Sequence, residues 1–386
     1  MKVLFIISTQ KHISGGHYYS LKTIADALVE KIDVAICVIG LNESLILKNL
    51  KYKTVFFPFY GLNYLNVYKN LIYLCKEFRP EIIHTFDNNC LSFARLASIK
   101  FSVPLLYTKC GGPNPKRFFS FVEYLILFHK ENEAFFRNSS IFNKLKIFCI
   151  PNRVNPIVSD KKRITKLKKA FNGKFTFIRI SRIGNHHEES LIQSINLVKS
   201  LCAEKILVSL LIIGYVEDIN ILQKLQDLAK GHHVVFVTDE YYTINACDLI
   251  DMADFMIGSG RGLMEAASLG KILLAPLNKS SFPVLVQPCN FHELFYYNFS
   301  NRSILENYSA AENLALIKEL LINKEKRDEF EKNSKTYFND YFNVRSAIVN
   351  YIKIYSEVKY IRARHLVDFI KSVYLTIKTN IYWQLH

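Results

Sequence analysis

The stretch GSGRGLMEAASLGK, Gly258 to Lys271, sets Gly258, Gly260, Gly262 and Gly270 around Arg261 and Glu265, directly after the apolar run Asp254-Phe-Met-Ile. Glycines at a strand-to-helix turn let the backbone approach a phosphate, and the first N–H groups of the helix point at the anion. A carboxylate within about the first turn of that helix, here Glu265, accepts hydrogen bonds from two neighbouring hydroxyls such as those of a ribose. The pair suits a nucleoside diphosphate: phosphates on the amides, ribose on the glutamate. The spacing is not GxGxxG, because Leu263 fills the last position, and no GK[ST] follows, which argues against dinucleotide and ATP-hydrolysis sites.

The elements that must position this turn follow an alternating pattern. Lys2 to Ser8 reads as a buried strand, 17 to 31 as a helix with Leu21, Ile24, Ala25 and Leu28 on one face, and Asp33 to Ile39 as a strand. Glu81-Ile-Ile-His-Thr, Pro104-Leu-Leu-Tyr-Thr and Lys146-Ile-Phe-Cys-Ile read as further strands, with helices near 64 to 77 and 90 to 99. Pro151, Pro156 and the basic run KKRITKLKKAFNGK break the pattern. It restarts with strands at Phe175 to Ser181, Ile206 to Ile213, Val234 to Thr238, Asp254 to Ile257 and Ile272 to Ala275, and helices at 188 to 201, 218 to 230 and 263 to 269. Two Rossmann-like α/β domains in tandem result, 1–154 and 160–340, followed by a helical segment at 341–386. An apolar stripe over 344 to 378 reads first as a terminal helix packed across both domains with a solvated basic face, and alternatively as a membrane-surface helix.

With 386 residues, half of them hydrophobic, each domain can bury a core. No apolar run approaches the ~20 residues of a membrane span. Even FFSFVEYLILF is interrupted by Glu123. MKVLFIISTQ lacks a small-residue cleavage site and reads as a first strand, not a signal peptide. Eight scattered cysteines without CxxC spacing indicate a reducing, cytoplasmic setting. A net charge of +16 suits nucleic acid, an anionic membrane or a phosphate-bearing substrate, and the absence of any nucleic-acid motif argues against the first.

The Gly258–Pro276 segment resembles the donor region of retaining GT-B glycosyltransferases of family 4, with their E-x7-E motif and GKPV-like strand. Glu265 matches the second glutamate, Gly258 and Gly260 match the glycines after the first, and Ile257 stands where that first glutamate would be. STQKHISGGHYYSLKTIADAL resembles the family's first strand, Gly-Gly loop and helix, PEIIHTFDNN its D-I-I-H-x-H-D strand end, and IPNRV its IPNGV. FIRISRIGNHHEES resembles the strand ending in a phosphate-binding arginine, matched by Arg182. His186, His187, Glu188 and Glu189 occupy the loop where the family adds a lysine.

The resemblance implies a GT-B fold: two Rossmann-like domains facing across a cleft, with a C-terminal helix crossing back to the first. It places Arg182 on the departing diphosphate as a catalytic residue beside Glu265. The donor set becomes Gly15, Gly16, Arg182, Gly258, Ser259, Gly260, Arg261, Gly262, Leu263 and Glu265, with Arg261 either replacing the missing lysine or capping the helix. His17, Asp87 and Lys109 are acceptor-side candidates. Each has a plainer reading: a capping or exposed histidine, a strand-end residue, and a cation in a rigid Gly-Pro loop beside Cys110, where the family often has a histidine. His84 reads as packed, and His186 to Glu189 as a solvated helix start instead of a metal site. Tyr241 and Tyr242 stack on a base or simply pack. KRFFSF, 116 to 121, is core or an interfacial patch.

No D-x-D pair occurs, so metal-free catalysis without a cofactor is expected, the nucleotide sugar being substrate. The expected protein is a cytoplasmic retaining transferase in bacterial surface polysaccharide synthesis (capsule or lipopolysaccharide), free or peripheral on the cytoplasmic face of the membrane, using a UDP-sugar and a saccharide or lipid-linked acceptor. The alternatives are a nucleotide-sugar epimerase of the same fold and a catalytically silent nucleotide-binding protein.

Overall fold

The computed structural model describes residues 1–9, 15–115, 118–168, 175–362 and 366–385. Stretch 10–14 of the Gly-Gly loop region, Lys116 and Arg117 of KRFFSF, and 169–174 of the basic run lie outside them. Two compact units divide the chain: Met1–Arg153 with Val344–His386, and Val154–Asn343.

The first unit is built on β1 (Lys2–Thr9), β2 (Asp33–Gly40), β3 (Lys53–Pro58), β4 (Ile82–Thr85), β5 (Leu105–Lys109), β6 (Tyr124–Leu127) and β7 (Lys146–Cys149). All pair in parallel, in the order β3-β2-β1-β4-β5-β6-β7. Parallel strands covered on both faces need unbroken apolar sequence, and Val3 to Ile7 are fully buried. β6 lies inside the FFSFVEYLILF run, and β3 is a half-buried edge; neither alternates, so neither stands out in the sequence. One face of the sheet packs Leu21 and Ile24 of the helix Gly16–Leu28 with Ala347, Tyr351 and Tyr355 of the helix Val344–Glu357. The other packs Leu71 and Phe93 from the helices Tyr64–Phe78 and Leu91–Phe101.

The expected single C-terminal stripe is two helices, Val344–Glu357 and Leu366–Leu385. The break is held to the sheet: the Tyr124 hydroxyl accepts from Lys359 N–H at 3.1 Å and donates to its carbonyl at 3.2 Å. Of KRFFSF, Phe119 packs between Tyr107 and Phe136, whereas Phe118 is exposed.

The second unit carries β8 (Phe175–Ile180), β9 (Val208–Ile213), β10 (Val234–Val237), β11 (Phe255–Ile257), β12 (Ile272–Ala275) and β13 (Val284–Leu285). Their order is β10-β9-β8-β11-β12-β13, parallel except for β13, which closes the edge antiparallel to β12. Two residues long, β13 carries no periodic signal of its own. Apolar clusters again fill both faces, one around Leu263, Met264 and Phe291, the other around Leu191, Leu210 and Ile257. Strand order reverses between β1 and β4 in one unit and between β8 and β11 in the other, which is where open α/β sheets leave a crevice at their carboxyl edge.

His84, on β4, is fully buried, with Nδ1 2.8 Å from the Tyr355 hydroxyl and Nε2 2.7 Å from Thr108 Oγ1. It pins the helix Val344–Glu357 to the sheet. Burial pushes its pKa down to about 3. The unfolded chain therefore takes up a proton near pH ~6.5 that the folded chain refuses, so stability is present above ~6.5 and is lost as pH falls towards 3, at about 1.4 kcal/mol per unit. Urea unfolding from pH 7 to pH 4 should show this slope in the wild type, and His84→Phe should flatten it by about one proton. Equal slopes would mean that His84 is not the group titrating.

Candidate functional site

The Gly258–Gly262 turn leaves β11 at the carboxyl edge and opens the helix Arg261–Ser268. Only Gly260 is required by sterics: its φ is +52°, and a Cβ there would stand 2.9 Å from Asn298 Nδ2. Gly262 has room, the nearest atom to an added Cβ being Met256 Cε at 3.7 Å. The amides of Gly258 and Gly260 already donate to the carbonyls of Leu274 and Asn298, both at 2.9 Å. These two glycines therefore shape the turn instead of offering their N–H groups to an anion. The helix start itself carries no side-chain cap. Leu263 is buried beneath the turn, in the core.

Glu265 is the fifth residue of its helix, in the second turn and not about the first. One turn above Arg261, its Oε1 lies 2.7 Å from Arg261 Nε. The residue is 7% exposed. Burial raises its pKa, Arg261 works against that, and Asp248 adds to it. The net shift is upward, and Arg261 offsets part of the cost of ionising this buried carboxylate.

Ile257 is the last residue of β11 and fully buried. The position matched to the family's first glutamate is here a core position, with no room for a sugar-facing side chain. Its lateral neighbour in register is Arg179 of β8, which the sequence reading passed over because it sits inside the apolar run FTFIRI. Arg179 is 1% exposed and donates to Ser190 Oγ at 2.8 Å, and its Nε has no partner. Among the described residues it makes no ion pair, and burial alone pulls its pKa down to about 10. The one available signal was an arginine interrupting an otherwise apolar buried strand.

Arg182, just beyond β8, is partly exposed and pairs with Glu217 at 2.7 Å, whose carboxylate also accepts from Tyr215 Oη at 3.3 Å. Arg182 and the Gly258 turn therefore flank the same β8/β11 reversal. His187 precedes the helix Glu188–Ala203, and its pKa is lowered to about 3, first by burial and then by Arg179 and Arg182. Glu188 pairs with Lys224 at 2.6 Å. Tyr241 lies under Lys166 and Arg163, with Lys166 Nζ 5.3 Å and the Arg163 guanidinium carbon 6.0 Å from its ring centre, while Tyr242 packs on the core.

In the first unit, Gly15 is the extended N-cap of the helix Gly16–Leu28, and His17 lies against Tyr18 with ring centres 3.8 Å apart. Asp87 ties the β1/β4 reversal together: it accepts from Ser8 N–H at 2.5 Å, Ser8 Oγ at 2.9 Å, Asn89 N–H at 2.9 Å and Cys90 N–H at 3.1 Å. Lys109 Nζ donates to Gly111 O at 2.5 Å and Asn132 Oδ1 at 2.9 Å. Both side chains are committed to their own loops. Cys110 is a thiol raised by burial, and Asn152 of IPNRV accepts from Ser20 Oγ at 3.0 Å.

No family model and no curated protein matches the sequence. Solved structures do. A glycosyltransferase from Rickettsia africae aligns at TM-score 0.68 and 14% identity, over 92% of this chain and 98% of that one. HepE of Anabaena in complex with UDP-glucose aligns at 0.64 and 15%, over 92% and 100%. The UDP-GlcNAc 2-epimerase of Neisseria meningitidis bound to UDP-GlcNAc aligns at 0.58 and 14%, over 93% and 100%. At such identities the likeness is one of fold, and the fold is GT-B.

A buried, unneutralised guanidinium is a liability for the empty protein. Arg179→Met should therefore raise the urea midpoint, by about 1–4 kcal/mol of stability. A lower midpoint would mean that Arg179 is already neutralised within the fold.

Proposed function

We propose that the chain is a retaining, metal-independent glycosyltransferase that moves a sugar from a nucleotide-diphosphate sugar, UDP-sugar first, to a saccharide or lipid-linked acceptor in bacterial surface polysaccharide synthesis. The observation that carries this reading is the convergence of Arg182 and the Gly258–Glu265 segment on one strand-order reversal, β8/β11. The fold likeness to the Rickettsia glycosyltransferase and to HepE supports it.

In this reading Glu265, paired with Arg261, accepts from the ribose hydroxyls. Arg182, a fixed cation, stabilises charge on the departing diphosphate, sharing or leaving Glu217 to do so. The buried charge of Arg179 on the adjacent strand adds to the same field without contacting the donor. The leaving diphosphate assists deprotonation of the acceptor, so no protein nucleophile is required. Gly15 and Gly16 serve the donor and His17 the acceptor, while Asp87 and Lys109 shape the loops of the first unit. The enzyme works on the cytoplasmic face of the membrane, where such acceptors are built.

The likeness to the Neisseria epimerase supports a second reading, an enzyme acting on the nucleotide sugar alone. Product analysis with donor but no acceptor separates the two: an epimerised donor favours the second, and unchanged or slowly hydrolysed donor the first.

The donor assignment is tested by thermal unfolding with UDP, GDP, ADP and CMP and their sugars. A ligand at a hundred times its Kd stabilises by about 2.7 kcal/mol, and UDP should give the largest rise, with most of it lost in Glu265→Gln. Since the ionised carboxylate is the acceptor, wild-type affinity should weaken on acidification, starting above the usual carboxylate range because burial raises this group. Glu265→Gln should show no such limb. An equal nucleotide response in mutant and wild type removes Glu265 from the ribose.

A further inference from the structure

The helix Leu366–Leu385 is turned inside out for a chain in water. Its stripe at every fourth residue, Asp368, Ser372, Thr376 and Asn380, faces the first unit; Ser372 is 2% and Thr376 1% exposed. Asp368 pairs with Arg95 at 3.0 Å and accepts from Phe121 N–H at 3.1 Å, and Thr376 donates to Asn89 O at 2.8 Å. The opposite side presents Leu366, Val367, Ile370, Tyr374 and Tyr382, each more than half exposed. A water-facing helix normally has the reverse arrangement. Here Asp368 and Thr376 anchor the helix, Ile377 packs on the core beside them, and the apolar residues of the opposite side are left uncovered.

The exposed patch continues beyond the helix. Gly61 has a φ of +88°, and a Cβ there would stand 2.7 Å from Ile381 Cγ1, so the turn 60–63 that leads into the helix Tyr64–Phe78 abuts the helix Leu366–Leu385. The turn adds Tyr60 and Leu62, 88% exposed, and the helix start adds Leu65, 71% exposed. Phe118 joins through Lys371, whose Nζ lies 5.6 Å from its ring centre.

Charge selects among possible coverings. The helix has one carboxylate, Asp368, and it is turned inward. The outward side carries Lys371 and Lys378, with exposed Arg362 just before the helix. A second copy would bring these cations against their own kind, in a chain of net charge +16. An anionic bilayer instead attracts them, takes the apolar residues into its acyl boundary and suits tyrosines at its headgroup level. No helix among the described residues is long and apolar enough to span a membrane, so this contact lies along the surface.

We propose that the outward face of Leu366–Leu385, with the segment 60–65, docks the protein on an anionic lipid surface. The proposal deepens the reading of a membrane-borne acceptor but does not depend on it: a chain that binds vesicles and no nucleotide keeps the docking face and loses the donor site.

The test is flotation of the full chain with vesicles of phosphatidylcholine alone or mixed with phosphatidylglycerol. Wild type should float with the mixed vesicles, not with the neutral ones, and salt should release it. Ile370→Glu with Val367→Glu, both at exposed sites, should lower the bound fraction at least about tenfold. Ile322→Glu, a still more exposed apolar site on the second unit, should leave it unchanged. Circular dichroism of the variants reports whether the fold is kept. The proposal falls if wild type ignores anionic vesicles, or if folded Val367→Glu/Ile370→Glu binds as wild type does. It also falls if wild type is a dimer that this double variant converts to monomer.

Discussion

A parallel sheet must place its crossovers on its faces, and wherever the strand order reverses, two neighbouring crossovers leave in opposite directions and nothing covers the carboxyl ends between them. Both units of this chain contain one such gap, at β1/β4 and at β8/β11. Every residue with a chemical assignment in the second unit, Arg182, Glu265 and the glycine turn, belongs to the second gap. Gly15, His17 and Asp87 belong to the first. The positions follow from the winding of the strands before any side chain is considered.

Charge in the second unit is balanced unevenly around its gap. Arg182 has Glu217, Arg261 has Glu265, and Arg179 has only the Ser190 hydroxyl. His187, pressed by two of these cations, stays neutral. Among the described residues Arg179 is therefore the cation beside this gap without an acidic partner. Where a family 4 glutamate is expected, the chain ends a strand with Ile257, and a guanidinium lies on the neighbouring strand.

The first unit uses its polar groups differently. Asp87 and Lys109 are fasteners whose hydrogen bonds close the loops around the β1/β4 edge, and His84 fastens the returning helix Val344–Glu357. In a chain, a residue that would hold a substrate and one that holds a loop have the same type and the same place at a strand end. Only the partners tell them apart. The same holds for Leu366–Leu385: its apolar spacing is legible, but which side faces inward depends on Arg95 and Asn89, nearly three hundred positions away in the chain.

Local rules were enough for the α/β alternation, the two Rossmann-like domains and the glycine turn, because strand burial and helix period are short-range properties of adjacent residues. β3, β6 and β13 escaped such rules, being an edge, a segment inside a longer apolar run and a two-residue strand. The commitments of Asp87 and Lys109, the isolation of Arg179 beside Ile257 and the outward apolar face of the last helix were decided by tertiary structure. Each is a matter of which distant groups come within hydrogen-bond reach, and that is set by the packing of whole elements, not by the spacing of residues along the chain.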